Sequence, residues 1–507
     1  MNATTTRLPR PAIPTRIAGA AAATRMQAAL VALLVLALAA TVFLARPREP
    51  AGLVWDEGYY VTSTQRYLDG HAQFATHPPL GLMLLAAGEA LLQPNRALDT
   101  SHLGDHKHAP GEALPAGHAM TGMRLASGLA ATLAALALAG LVLTVTRSLA
   151  AALVAVNLFV FDNAFVAHLR AAHLEAFQLL FALLALWAFA SAVRRPARAG
   201  WREAAVGAFG ALALLVKLNA AWLLAPAAVL VLHRLVTTPA SPIGAAAKTA
   251  MRMLAAGVLA TVLVLGAHVA IGHRMPDANT IAGRQDTAFI EGAYRAYLQG
   301  QRGIGPAVLL DAARGYARFM ATDVDGMGLH DANGSTPWQW LAQRRTINYR
   351  WDSDGTRTAY VQLVPNPLGW LLALLAPLAV ALLLALRLRA PASVRADAPL
   401  AWIAAALLAA WVACFGLHLW IASQRVMYLY HAFGGVLIGF ALVPMAWQLA
   451  TARWPGLRTQ GGRPATALLA LHLLAFWWLS PLSLHKPLTH AACQQRNWPL
   501  HIVECQP

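Results

Sequence analysis

The residues best suited to do chemistry are two adjacent carboxylates, Asp56 and Glu57, in the motif "WDEGYY" just after the first apolar run. The whole chain of 507 residues has only 22 Asp and Glu. A carboxylate can act as a general base toward a hydroxyl group. The ordinary alternative is a solvated loop start, and the aromatic neighbours decide nothing, because Trp and Tyr favour any membrane interface.

Four cations lie beside or within apolar stretches, namely Arg124, Arg170, Lys217 and Arg425. A charge at membrane depth is costly and usually faces a cavity or a partner. Each cation alone could instead extend its head group to the interface. Because all four fall at the same end of their apolar runs, we predict that they share an anion site.

An acid pair beside several cations suits sugar transfer from a lipid phosphate. The phosphate is a good leaving group once cations neutralise it, so no protein acid is needed. The acceptor hydroxyl needs one base, with the second carboxylate positioning the acceptor. A glycosidase needs two carboxylates on opposite faces of the sugar, which adjacent side chains on one loop do not provide.

Two D-x-D sequences, Asp323-Val-Asp325 and Asp352-Ser-Asp354, offer a competing interpretation with a metal and a nucleotide-sugar. Both lie in an acidic segment that we assign to the outer side, where nucleotide-sugars are not expected. We therefore predict no metal and no cofactor at the site.

Apolar runs must position these residues. The chain is 58% hydrophobic and 12% charged, about half the charged fraction of a soluble domain, and runs of membrane-spanning length recur. We predict an all-α polytopic membrane protein with about eleven spans. They cover residues 26–45, 121–144, 149–166, 170–193, 204–220, 220–234, 250–271, 366–387, 399–421, 425–449 and 464–482. The first run is long and lacks a good cleavage site, so we interpret it as a retained anchor.

Charge distribution predicts the topology. The net charge of +17 comes largely from short basic loops between spans, which the positive-inside rule places in the cytoplasm; this arrangement argues against nucleic-acid binding. Of the acids, eight lie in residues 46–123 and nine in residues 272–367, on the opposite side. An odd number of spans then puts the C-terminal tail outside, where Cys493 and Cys505 could form a disulfide.

The predicted organisation has five parts. They are a basic cytoplasmic N-terminus (1–25), a membrane region (26–271) containing the first outer loop (46–120), a long outer loop (272–365), the last membrane helices (366–482) and an outer tail (483–507). Within the first outer loop, "THPPLGLMLLAAGEALLQ" predicts a helix that begins at its prolines and lies on the membrane surface.

Several motifs, in their order along the chain, resemble the protein O-mannosyltransferases, which have the C-type glycosyltransferase fold and use polyprenyl-phosphate mannose. They are "WDEGYY", "THPPLGLMLLAAG", "FVFDNAFVAHLRAAHLEAFQLLF", "ALLVKLNAAWLL", "STPWQWLAQRRTINYRW", "QRVMYLYHAFGGVLIGFAL" and "PLSLHKPLTHAACQQRNW". The resemblance extends over most of the chain, and the order of the motifs carries it more than any single one.

The resemblance implies roles for individual residues. Asp56 is expected to be the base, with Glu57 helping to place the acceptor. Arg124 and Lys217 are expected to bind the donor phosphate, and Arg170 and Arg425 match further basic positions. Four more residues of the matching motifs are candidates for the substrate groove: His77, Glu175, Tyr428 and His431.

The sequence departs from the family pattern at several positions. Leu82 stands where a lysine usually follows the His-Pro-Pro motif, Glu175 replaces an Asp, and "YHAFGGVL" replaces a sequence with proline. The long outer loop has no large extra domain, which is typical of a bacterial member. The expected reaction is transfer of mannose to protein Ser or Thr at the outer face of the plasma membrane. A lipid or envelope glycan as acceptor, or a lipid-sugar transporter, remains an alternative.

Overall fold

The structure, a computed structural model, describes residues 16–109, 111–326, 328–389, 397–460, 462–497 and 502–506. Helices dominate it. In chain order they are α1 (Arg16–Phe43), α2 (Glu57–Leu68), α3 (Pro79–Leu92), α4 (Thr121–Thr146), α5 (Leu149–Val160), α6 (Asn163–Leu169), α7 (Glu175–Arg194), α8 (Gly200–Val216), α9 (Leu224–Thr237), α10 (Pro242–Ile271), α11 (Ile281–Thr287), α12 (Gly292–Leu298), α13 (Pro306–Asp325), α14 (Pro337–Leu341), α15 (Pro367–Leu388), α16 (Ala398–Ala422), α17 (Phe433–Arg453), α18 (Arg463–Ser483) and α19 (His490–Asn497).

Among the described residues, nine helical segments are long and apolar enough to cross a membrane. A tenth span results if the bent pair α5 and α6, which meet at 64°, is one crossing. The bend lies at Asp162, whose Oδ1 accepts the backbone N–H groups of Ala164 and Phe165 and so starts α6. The protein is therefore a polytopic membrane protein, as predicted.

The predicted number of eleven spans depends on α8. This helix corresponds to the predicted span 204–220 but has only 17 residues, or about 26 Å at 1.5 Å per residue, against a hydrocarbon core of about 30 Å. Number and boundaries of the spans thus stay predictions. The helix predicted from the His-Pro-Pro motif is present as α3, with proline in its first turn.

The two acidic segments pack against each other at one end of the bundle. The backbone N–H of Ala72 donates to the carbonyl of Arg274 at 2.9 Å, and that of Ala282 donates to Asp105 at 2.9 Å. Arg66 of α2 forms a buried ion pair with Asp286 of α11. The two acidic segments are therefore in contact with each other, and their side of the membrane stays a prediction.

A small antiparallel sheet, which the sequence analysis did not predict, joins the long loop to the C-terminal tail. Strand β1 (Ile347–Ser353) pairs with β2 (Thr358–Leu363), and β2 pairs with β3 (Pro487–Leu488). The signal was available, because "INYRW" and "TAYVQL" are rich in β-branched and aromatic residues and flank an Asp-Gly turn. The sheet holds the tail on the side of the acidic segments.

Charged residues at the other end of the bundle connect the basic loops. The carboxylate of Glu203 on α8 bonds Arg234 of α9 at 2.9 Å and Arg252 of α10 at 2.7 Å. Arg194 at the end of α7 pairs with Asp397 before α16 at 2.6 Å. These contacts group the loops that the positive-inside rule had assigned to one side.

Candidate active site

Asp56 stands immediately before the first residue of α2, where it is half-buried. Its side chain does not cap the helix. Among the residues that the structure describes, we find no hydrogen-bond partner for the carboxylate. The preceding Trp55 has a left-handed backbone with φ of 50°, and its ring stacks on Tyr349 at 5.2 Å and meets Tyr428 edge-on at 5.7 Å. Asp56 thus lies beside an aromatic wall formed by Trp55, Tyr349 and Tyr428, and in the described chain its oxygens make no hydrogen bond.

Glu57 is in the opposite situation, because it is fully buried and completely bonded. Its Oε1 accepts from Arg124 Nε at 2.8 Å and from the Ala172 backbone N–H at 2.8 Å. Its Oε2 accepts from Arg124 at 2.7 Å and from the Val54 N–H at 2.8 Å. Burial alone would raise the pKa of Glu57, but the Arg124 charge and these hydrogen bonds lower it. Glu57 is therefore held as a carboxylate inside the protein.

Arg124 has no donor left for a ligand. Besides its two bonds to Glu57, it donates to the carbonyls of Pro47, Pro50 and Gly52 at 3.3, 2.7 and 2.7 Å. All five N–H groups of the guanidinium are thus directed at protein oxygens. These contacts do not fit the phosphate-binding role that we expected for Arg124; they fit one in which it fixes the chain before α2.

Lys217 has an extended backbone and joins α8 to a 3₁₀ helix (Leu218–Leu223). Its motif had predicted a break between helices at this position. Its Nζ bonds Glu175 Oε1 at 2.5 Å, and Glu175 Oε2 lies 2.9 Å from His168 Nε2. His168 Nδ1 in turn contacts the Tyr349 hydroxyl at 2.7 Å. Lys217 also faces the Tyr430 ring, 5.7 Å from its centroid. A buried polar chain therefore runs from Lys217 to the aromatic wall.

The surroundings of Asp56 include this chain. Burial raises the pKa of the Asp56 carboxyl, as does the negative charge of Glu175, while His173, Lys217 and Arg425 act to lower it; the net direction is upward. The pKa of His77 is lowered well below the usual range, first by burial and then by the charge of Lys217, which also influences Asp56. These shared influences indicate that Asp56, His77 and Lys217 lie in one neighbourhood.

The four predicted cations divide into two groups. The charges of Lys217 and Arg425 act to lower the pKa of Asp56, whereas Arg170 lies near Arg124. The pKa of Arg170 is lowered to about 10, first by burial and then by the neighbouring Arg124 charge. Arg170 donates to the carbonyl of Ala45 at 2.6 Å. The structure therefore does not bring all four cations together as we expected.

The predicted groove residues Tyr428 and His431 belong to the same aromatic wall, since Tyr428 contacts both Trp55 and His431. The backbone N–H of Tyr428 donates to His431 Nδ1 at 3.1 Å, and their rings stack. His431 also borders an aromatic cleft, which Trp340, Trp370, Trp411 and His418 line as well. Such a wall can hold the apolar faces of a sugar or the start of a lipid tail.

Three residues of the site were not identified from the sequence, namely His168, His173 and Tyr349. His168 and His173 stack at 4.0 Å, and His173 Nε2 is buried without a hydrogen-bond partner in the described part of the chain. Both histidines lie in the polar stretch that separates α5 from α7, so its polarity was a usable signal. Tyr349 belongs to β1, and the sequence gave no signal for its place in the site.

Three of the four D-x-D acids contact protein groups. Asp323 bonds Thr76 and lies 3.3 Å from Lys107. The Asp352 carboxylate pairs with Arg350 at 2.8 Å and with His485 at 2.7 Å. Asp354 accepts the N–H groups of Thr356 and Arg357 within its turn. Their contacts are those of structural carboxylates.

Two family models match this chain. Residues 33–280 match "Dolichyl-phosphate-mannose-protein mannosyltransferase", and residues 317–501 match the "C-terminal four TMM region of protein-O-mannosyltransferase". The chain belongs to the protein O-mannosyltransferase family. It is therefore a membrane glycosyltransferase that uses polyprenyl-phosphate mannose, as the motifs implied.

Comparison with solved structures identifies the fold. The Saccharomyces cerevisiae protein O-mannosyltransferase Pmt1-Pmt2 complex bound to the sugar donor matches with a TM-score of 0.75 and 14% identity, over 95% of this chain and 94% of that chain. This match identifies the C-type glycosyltransferase fold.

Two structures of ArnT from Cupriavidus metallidurans, one apo and one bound to undecaprenyl phosphate, are 15% and 14% identical to this chain. They match 82% of it and 76% and 77% of their own chains, with TM-scores of 0.33 and 0.31, too low to carry an argument. No curated protein sequence matches the chain significantly.

Proposed function

We propose that the protein transfers mannose from a polyprenyl phosphate to a Ser or Thr hydroxyl of a protein at the outer face of the plasma membrane, with Asp56 as the base. The observation that carries this proposal is the contrast at "WDEGYY". Glu57 is fully engaged in hydrogen bonds to the protein, while the Asp56 carboxylate lies beside the aromatic wall without a hydrogen-bond partner in the described chain. Of the two adjacent acids, Asp56 is then the one available to accept a proton.

The proposed reaction is a single displacement. The acceptor hydroxyl gives its proton to Asp56 as its oxygen attacks the anomeric carbon, and the bond from that carbon to the phosphate oxygen breaks. Polyprenyl phosphate leaves with the bonding electrons, and the configuration of the sugar is inverted. The step needs no protein acid, because the phosphate is stabilised by cations.

Lys217 and Arg425 are the proposed phosphate ligands, because both belong to motifs that match the family and Lys217 lies against the Tyr430 ring of the aromatic cluster. The Lys217 ammonium has three donors, of which the bond to Glu175 uses one. Glu175 would hold the lysine side chain in place while leaving donors for the lipid phosphate. Arg124 is proposed instead to fix the chain before α2. Arg170 lies near Arg124 and is not proposed as a phosphate ligand.

The outer location is supported by the grouping of the loops. The site lies at the end where the two acidic segments and the C-terminal tail pack together. The basic loops lie at the other end, which the positive-inside rule assigns to the cytoplasm. A lipid-linked donor can reach such a site from within the membrane, with its tail along apolar helices.

The test is transfer in proteoliposomes that contain the purified protein and an acceptor peptide with Ser and Thr. Mannose is offered on polyprenyl phosphate or on a nucleotide, and we expect product only from the lipid donor. The Asp56→Asn variant should lose about 100-fold or more of the transfer rate while still binding the donor. Asp99→Asn, which changes an exposed acid of the same outer loop, is the control.

Transfer from the nucleotide-sugar alone would overturn the donor assignment. Near-normal turnover by Asp56→Asn would remove Asp56 from the mechanism. Product on a lipid or glycan acceptor, with none on the peptide, would keep the donor and replace the acceptor.

A further inference from the structure

We propose that the first outer loop binds a divalent zinc-type metal ion through His106, His108 and Glu112. The three residues have the spacing H-x-H-x₃-E, and one ligand atom from each lies within 4.8 Å of the others. Two imidazoles and a carboxylate are a common protein ligand set for Zn²⁺. None of the three residues is a D-x-D acid or one of the residues assigned above to the reaction.

The geometry of the cluster converges on one point. His106 Nε2 lies 2.9 Å and His108 Nδ1 lies 2.7 Å from the same oxygen, Glu112 Oε1. The two imidazole rings are 4.6 Å apart. Small side-chain rotations would open these contacts to the separation of two ligands around a metal with bonds of about 2.0–2.2 Å. A water molecule would complete a four-coordinate site.

Outer contacts already orient the ligands. His108 is buried, and its other nitrogen, Nε2, lies 3.1 Å from the carbonyl of Leu103. The second carboxylate oxygen of Glu112 accepts the N–H of Ala109 at 2.9 Å. Metal-binding histidines commonly donate their second N–H to a carbonyl in this way.

The hydrogen-bond inventory of His108 favours a cation in the cluster. A neutral imidazole has one N–H, and here both ring nitrogens face oxygen atoms. If the proton is on Nε2 and is donated to Leu103, the Nδ1 lone pair faces the Glu112 carboxylate. A metal ion between them converts this repulsion into two bonds. The competing state, a second proton on His108, needs no metal, and the experiment distinguishes the two.

The site would fix the loop against the helix that carries Asp56. The His106 carbonyl accepts from the Thr62 hydroxyl of α2 at 2.7 Å. A Cβ at Gly58 would lie 2.2 Å from the His108 carbonyl oxygen, so only glycine allows the approach. Lys107 reaches the other way, to Asp323 of α13. The metal would therefore connect the loop, α2 and the long outer segment.

The experiment measures metal content directly. The full chain is purified in detergent with a tag that contains no polyhistidine, and bound metal is determined by mass spectrometry. We expect about one equivalent of zinc per chain, lost in His106→Ala and Glu112→Gln. His102→Ala, an exposed histidine of the same loop, should keep it.

A second measurement does not depend on the variants. Chelator treatment of the wild-type protein should lower its Tm, and ZnCl₂ should restore it; Co²⁺ in place of zinc should give the visible absorption of a four-coordinate site. The proposal is overturned if the wild-type protein contains no metal and its Tm does not change with ZnCl₂. It is also overturned if Glu112→Gln retains as much zinc as the wild type. Neither result bears on Asp56 or on the donor.

Discussion

Asp56 and Glu57 are neighbours in the chain but have opposite surroundings. Glu57 is enclosed by four hydrogen bonds from Arg124 and two backbone N–H groups, whereas Asp56 is desolvated without such compensation. The same burial therefore raises the pKa of Asp56 and fails to raise that of Glu57. A desolvated carboxylate is a stronger base than an exposed one.

The raised pKa of Asp56 predicts a pH dependence. The base acts when deprotonated, so kcat/KM should rise with pH through the pKa of Asp56 and level off above it. Because burial raises that pKa, the acidic limb should lie above the usual aspartate range. Transfer rates measured between about pH 4 and pH 8 should show the limb in wild type. Its persistence in Asp56→Asn would assign it to another group.

Removal of the Lys217 charge should weaken donor binding. Lys217→Gln deletes the ammonium beside the proposed phosphate position and leaves Glu175 with His168 as its remaining partner. We expect a rise in donor KM of about 10-fold or more, since hydrogen bonds between charged groups contribute about 1.5–3 kcal/mol. Lys248→Gln, an exposed lysine on α10, is the control. Wild-type donor affinity in Lys217→Gln would exclude Lys217 from the phosphate site.

At the scale of elements, one buried ion pair fixes the start of α2. Arg124 of α4 binds Glu57 and three carbonyls of the chain before it, and Ala172, just before α7, adds its N–H. Three elements thus meet at Glu57. The position of Asp56, one residue away, follows from this junction.

Glu57→Gln should therefore destabilise the protein. The amide leaves the buried Arg124 charge uncompensated, a loss of about 3–5 kcal/mol, and thermal unfolding in detergent should show a lower Tm. Glu49→Gln, which alters an exposed pair with Arg46, should change stability by less than about 1 kcal/mol. An unchanged Tm with a raised acceptor KM would restore the positioning role that we first expected for Glu57.

At the scale of the whole molecule, the C-terminal tail and the long outer segment form one structure. The Thr346 hydroxyl donates to the carbonyl of Ile502 at 2.6 Å, and Asn348 donates to that of Glu504 at 3.2 Å. The predicted disulfide between Cys493 and Cys505 is present, with the Cα atoms 5.9 Å apart. Disulfides persist in oxidising compartments, which agrees with the proposed outer location.

Labelling of the tail tests the topology. In intact cells, an impermeant maleimide should label Cys493 and Cys505 only after mild reduction, from the outside. Cys414 is buried within α16 and should stay unlabelled, and a Cys493→Ser, Cys505→Ser double variant is the control. Labelling that requires permeabilised cells would place the tail, and with it the site, in the cytoplasm.

Much of this architecture could be predicted from the sequence, because it depends on local chemistry. Apolar runs of spanning length predicted the membrane helices, and the alternation of basic and acidic segments separated the two ends. The helix after the His-Pro-Pro motif and the break at Lys217 followed from prolines and from a charge in an apolar run. The order of the motifs along the chain indicated the family.

The tertiary structure decided which of these residues act together. Glu57 and Arg124 are 67 residues apart, and His168 and Tyr349 are 181 apart, so no local pattern could pair them. Two adjacent acids have the same chemistry in a sequence; packing gave Glu57 a buried arginine and left Asp56 without a hydrogen-bond partner in the described chain. The four cations divided for the same reason, because the energy of a buried charge depends on which groups the fold brings within a few ångströms of it.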